Sequence, residues 1–287
     1  VYDRIAQRSA VEKKCVDCDN NLWVQYYNQH DKVFSSNNSP RFYNNTSGAL
    51  VGYDRSLGDF LVGAYAGFGK SDLRQHDDSK MDVEDTTFGV YSGYTMGDWA
   101  FKGTLFAGTQ NYHGKRHISF MNRTADGKYN GSNVGLDLEA SYNIPVFNWL
   151  NVKPFAGWLN SYAHQQAFTE KDAGALNLHV HSNDQFNSQA RLGVRVDGQI
   201  KNRFSWYGSV AVKQFIGDDY AKLRMDLNLP NTDMKVISAE LGRTSFGGQI
   251  GANYALTNNW SVFANADAGI NNKSANCYGN IGVAYTW

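Results

Sequence analysis

Three groups of residues in this chain have types and spacings that chemistry can use. Cys15-Val-Asp-Cys18 has the spacing of half a zinc site or of a redox pair. No second CxxC or HxxxH lies near it, and no βαβ pattern surrounds it. On the compartment logic of exported proteins a local disulfide ranks first, free thiols second, and metal or redox chemistry last. His179-Val180-His181 offers two imidazoles to a metal, but such spacing in a polar loop is more often chance, so no metal and no other cofactor is expected. The third group is a set of charges at alternate positions: Lys102, Asp137, Glu139, Lys153, Arg191, Arg195, Asp197 and Lys213. Charges repeated with period two need a wet surface on one side of a sheet.

The elements that place these charges are strands. Ala190, Leu192, Val194, Val196, Gly198 and Ile200 alternate with Arg191, Gly193, Arg195, Asp197 and Gln199. Val134, Leu136, Leu138, Ala140 and Tyr142 alternate with Gly135, Asp137, Glu139 and Ser141. The end of the chain repeats the pattern: Cys277, Gly279, Ile281, Val283, Tyr285 and Trp287 against small or polar neighbours. Cys277 then falls on the apolar face, as a small hydrophobe. Walking from residue 20 to the end gives about twelve such strands, an even number as in single-chain bacterial barrels.

Composition agrees. Of 287 residues 42% are hydrophobic, 14% aromatic and only 19% charged, which suits a wall with little water-facing surface. A mean hydropathy of -0.50 hides the alternation, because a barrel strand is only half apolar. No apolar run of about 18 residues exists, so a transmembrane helix is excluded while transmembrane strands are not. Acidic and basic residues balance at 27 each, so nothing points to nucleic acid. No signal peptide stands at Val1, and an exported chain would therefore be a mature or C-terminal fragment.

The connections carry a separate signal. Arg55 to Gly58, Met96 to Asp98, Pro145 to Asn148, Lys201-Asn202 and Thr257 to Asn259 read as tight turns. The alternate connections, around 31–43, 70–81, 113–128, 168–183 and 217–235, read as mostly long polar loops, which also hold His76, His113, His117, His179 and His181. Short turns at one rim and long loops at the other are the asymmetry of an outer-membrane barrel. Trp99, Trp149, Trp206 and Trp260 follow the short turns, where an aromatic girdle belongs. The fold expected is all-β: a twelve-stranded antiparallel transmembrane meander barrel over 20–287. Residues 1–19 lack period two and are rich in helix formers, so a linker helix charged nearly all round is expected there. It is either a solvated linker or a helix lodged in the pore, where its length of roughly 25 Å matches the apolar band.

A charged helix, a twelve-stranded meander and a terminal aromatic together resemble the C-terminal translocator domain of autotransporters, the type V secretion family. The stretches Gly48 to Gly69 and Asn280 to Trp287 carry the likeness. The resemblance implies a non-enzymatic domain in the Gram-negative outer membrane that supports export of its own N-terminal passenger to the cell surface. The helix would finally plug the pore, with Arg4 and Arg8 pairing to the lumen charges. Those charges otherwise only solvate the lumen or cross-link the wall. Tyr285 and Trp287 match the family's terminal signal for the barrel assembly machinery. Some relatives cut themselves at an Asn-Asn pair in the pore with help from an aspartate on a neighbouring strand. Here Asn20-Asn21 follows the helix, and the corresponding strand presents Lys102, Thr104 and Phe106, so an uncut or externally processed passenger is expected. The alternatives are a channel without passenger, a membrane-embedded hydrolase of the serine-histidine type, for which His164 has no evident nucleophile, and a soluble lipocalin-like barrel with its faces reversed.

Overall fold

Alternation decides which side of each strand meets which solvent, and the computed structural model shows the outcome. It describes residues 19–287 apart from 36–39, 77, 201–202, 218, 228 and 230–231. The expected helix over 1–19, with Arg4, Arg8, Cys15 and Cys18, lies outside the described residues except for Asp19, as does the turn Lys201-Asn202. Long strands follow one another as β1 (Asn20–Val33), β2 (Phe42–Leu57), β3 (Phe60–Gln75), β4 (Lys80–Met96), β5 (Trp99–Ile118) and β6 (Arg123–Tyr142). They continue as β7 (Leu150–Gln165), β8 (Asn183–Ile200), β9 (Phe204–Ile216), β10 (Thr244–Ala255), β11 (Trp260–Ile270) and β12 (Ser274–Thr286). Each pairs antiparallel with its neighbours in the chain, and β12 pairs with β1, so the twelve close into a barrel. Closure leaves no unpaired edge, which is the condition for strands to stand in lipid. At the seam Asn20 and Trp287 exchange both backbone hydrogen bonds at 3.0 Å.

The wall is turned inside out relative to a soluble barrel. Leu192 is 69% exposed and Val210 67%, while Arg195 and Glu139 are each 6% exposed. This rules out the lipocalin-like alternative, in which the charges would face water and the aliphatic side chains the core. Cys277 is free and exposed on the apolar face. Rings gather at the short-turn rim: Phe60 stacks on Tyr94 at 4.3 Å, Trp99 meets Tyr142 at 5.1 Å, and Trp260 meets Tyr285 at 4.9 Å. Amphipathic rings prefer that depth because one edge wants hydrocarbon and the other water.

Two expectations about the connections need correction. The residues near 70–81 and 113–128 are not mostly loop: β3 runs to Gln75 and β4 starts at Lys80, while β5 runs to Ile118 and β6 starts at Arg123. His113 and His117 therefore lie in a strand. Strands of 20 residues, as in β5 and β6, extend for roughly 66 Å, well beyond the 9–11 residues that cross a bilayer. Past the bilayer both faces are wet, so the hydrophobic period that marks a strand disappears. At the other rim Ile144–Phe147 is not only a turn but a short segment paired with β7, with a register shift between Pro145 and Phe147. The 166–182 and 217–243 connections hold a separate small sheet of Phe168–Thr169, His179–Val180, Lys222–Asp226 and Met234–Ile237.

Candidate functional site

Period two places Lys102 on β5, Asp137 and Glu139 on β6, Lys153 on β7, and Arg191, Arg195 and Asp197 on β8 with their side chains toward the barrel interior. There they pair across strands. Glu139 Oε1 lies 3.4 Å from Lys102 Nζ and 3.0 Å from Arg195 Nη1. Arg191 Nη2 reaches Asp137 Oδ1 at 2.5 Å, and Lys153 Nζ reaches Asp197 Oδ1 at 2.7 Å. Both arginines on β8 therefore bridge β7 to carboxylates on β6. A Cβ at Gly157 of β7 would stand 2.9 Å from Arg191 Nε, so only glycine lets the guanidinium lie flat across that strand. Arg195 crosses the same strand over the Phe155 ring, 4.9 Å from its centroid. Lys213 of β9 joins Glu139, Arg191 and Arg195 in lining an interior cavity of about 270 Å³. Such groups keep a lumen hydrated, and their pairing keeps buried charges from standing alone, which is strongly unfavourable.

The interior is not uniformly polar. Near the short-turn end Trp23, Leu61, Tyr91, Phe263 and Ala284 form a buried apolar cluster. Trp23 lies over Gly52, its partner across β1 and β2, where any Cβ would overlap the indole. The indole N–H donates to the Tyr91 hydroxyl at 2.9 Å, and that hydroxyl donates to Asp54 Oδ2 at 2.7 Å. Asn21 Nδ2 donates to the same carboxylate oxygen at 3.0 Å. An inward carboxylate does therefore touch the Asn20-Asn21 pair, from β2. The strand expected to supply such a group, β5, instead buries Lys102 and Thr104. Here Asn20 and Asn21 belong to β1 and are paired with Arg55 and Asp54 of β2.

The histidines divide differently than the sequence suggested. His164 Nδ1 lies 2.7 Å from Asp184 Oδ1, which also accepts the Tyr162 hydroxyl at 2.6 Å, so the partner of this imidazole is a carboxylate and not a nucleophile. His113 Nε2 lies 2.7 Å from Asp126 Oδ2 in the protruding β5–β6 hairpin, and this bond holds the Asp126 carboxyl below the usual range. His179 and His181 meet Asp226, which lies 45 residues beyond His181, and nothing in the spacing joins the two connections. Tyr285 stacks on Trp287 at 5.5 Å, and Trp287 meets Tyr53 at 6.2 Å, so both aromatics belong to the rim girdle.

Known proteins share this architecture. The chain is similar to the translocator domain of the autotransporter NalP from Neisseria meningitidis, with 16% identity and a TM-score of 0.80 over 100% of this chain and 96% of that one. It is similar to the β domain of the Bordetella autotransporter BrkA, with 15% identity and a TM-score of 0.72 over 94% and 100%. The transport unit of AIDA-I from Escherichia coli gives 16% identity and a TM-score of 0.67 over 93% and 90%. Identities this low speak for the fold alone. No curated protein sequence matches the chain. The family evidence is of a different kind, since residues 22–267 match the autotransporter beta-domain family from within β1 into β11. A wall that is apolar outside and charged within, matched along nearly its whole circuit, makes this chain a member of the autotransporter β-domain family, the transport barrels of the Gram-negative outer membrane.

Proposed function

We propose that this translocator barrel gives its own N-terminal passenger a path to the cell surface and that residues 1–19 finally occupy that path as a helix. A passenger backbone crossing hydrocarbon would strand its polar groups at several kcal/mol each, whereas a hydrated lumen costs it little. The observation that carries the reading is the reversal of the wall, with Arg195 and Glu139 buried inside and Leu192 and Val210 exposed outside. Lys102, Asp137, Glu139, Lys153, Arg191, Arg195, Asp197 and Lys213 line the path in this account. Arg4 and Arg8 supply the plug helix with charges for the lumen carboxylates. Tyr285 and Trp287 serve the barrel assembly machinery as a recognition signal, and outer-membrane lipid is the solvent of the wall. Catalysis, including cleavage at Asn20-Asn21, has no part in this function.

An epitope joined ahead of Val1 tests export. Protease added to intact cells should remove it, and an epitope protected until the outer membrane is broken would contradict the reading. Single-channel recording tests the plug. Deleting residues 1–19 should raise conductance severalfold, and an unchanged conductance would place those residues outside the bore.

A further inference from the structure

The small sheet at the long-connection end is made of pieces too short to be stable alone: two, two, five and four residues. Within it Thr169, His179 and Asp226 form one cross-strand row, His179 pairing with Thr169 on one side and Asp226 on the other. Side chains directly opposite in an antiparallel pair share a face, and period two adds His181 to that face. The rings of His179 and His181 stand edge to face at 4.9 Å. One ligand atom from each of His179, His181 and Asp226 lies within 4.8 Å of the others, and His181 Nε2 is already 3.0 Å from Asp226 Oδ2. His179 Nδ1 lies 2.9 Å from Thr169 Oγ1, a contact that orients the ring and leaves Nε2 for another partner.

We propose that His179, His181 and Asp226 bind one divalent transition-metal ion, with Zn(II) as the reference, and so clip the 166–182 connection to the 217–243 connection. Two imidazoles and one carboxylate suit Zn(II), with water in the fourth tetrahedral position. Metal–ligand bonds of about 2.0–2.2 Å set ligand atoms a little over 3 Å apart. The His181–Asp226 pair already has that spacing, and the His179 donor has to close in from within 4.8 Å. Arg224 shares the strand face with Asp226 but is exposed, so solvent screens its repulsion. The His113–Asp126 and His164–Asp184 pairs each offer one imidazole and serve as internal comparisons.

The test is a Zn(II) titration of the untagged, detergent-solubilised full chain against a chromophoric chelator, in a Cys15→Ser, Cys18→Ser background. One Zn(II) per chain should bind. Thr169→Val should weaken it by about tenfold, and His179→Ala with His181→Ala should abolish it. Heat-modifiable mobility on SDS gels checks that each variant keeps its barrel. Co(II) bound to the unsubstituted loops should give the visible bands of a tetrahedral nitrogen and oxygen site. No bound Zn(II), or equal binding by the double histidine variant, overturns the proposal. None of these readouts involves export, so either outcome leaves the translocator assignment standing.

Discussion

Tyr91 on β4 joins Trp23 to Asp54: its hydroxyl accepts the indole N–H at 2.9 Å and donates to the carboxylate at 2.7 Å. Three strands are held by one oxygen atom at the edge of the interior apolar cluster. Tyr91→Phe leaves a buried indole donor and a buried carboxylate each one partner short. The loss should be about 2 kcal/mol, read from urea unfolding of the barrel refolded into lipid.

Gly52 receives the Trp23 ring, and no side chain fits beneath it. Gly52→Val should therefore destabilise the barrel by about 1–3 kcal/mol through overpacking. The same assay checks it, and a neutral result would mean that the indole stands elsewhere. Pairing Gly52→Val with Trp23→Ala should recover part of the loss, since the smaller side chain makes room.

Glu139 sits between Lys102 and Arg195. Glu139→Gln would leave two cations facing each other in a buried place, a change that costs about 3–5 kcal/mol when a buried pair is broken. Replacing all three residues by Met should be far milder, because no charge is then left alone. Unfolding midpoints of the single and triple variants check this, and a single variant no worse than the triple would show that the three act separately.

The hairpin tip should respond to acid. The carboxyl of Asp126 is held low by its bond to His113, and its backbone exchanges hydrogen bonds with Lys171 of the 166–182 connection. A depressed carboxyl stabilises the folded form above its unfolded value, near 4, and this contribution is lost as pH falls through the lower folded value. The protection of the Asp126 and Lys171 amides against hydrogen exchange, taken relative to the intrinsic rate at each pH, should fall on acidification below about pH 4. Asp126→Asn should flatten that dependence, whatever other carboxylates nearby contribute.

Much of this fold is written in period two. Strands such as β8, where Leu192 and Val194 face out between Arg191 and Arg195, declare both their extent and their two solvents. The parity of short and long connections then orders them. What stayed hidden has a physical cause in each case. The outer halves of β5 and β6 are wet on both faces, so no alternation marks them as strand. The interior cluster was half visible: Trp23 and Tyr91 stand in the polar register of their strands, and an inward aromatic calls for a glycine opposite, but Gly52 is found only once β1 and β2 are paired. The Asp54 contact to Asn21 and the approach of Asp226 to His179 depend on register and on loop folding, which spacing does not encode.

The most direct test of the reversed wall is nitroxide scanning along β9 in a background without cysteines. Val210 and Val212 point outward, while Ser209, Ala211 and Lys213 line the interior cavity. In lipid vesicles the labels at 210 and 212 should be open to oxygen and closed to a water-soluble nickel chelate. Those at 209, 211 and 213 should show the opposite preference or be closed to both. Chelate access at 210 and 212 with oxygen access at 209 and 211 would contradict the account, because the strand would then turn its charged side to the lipid.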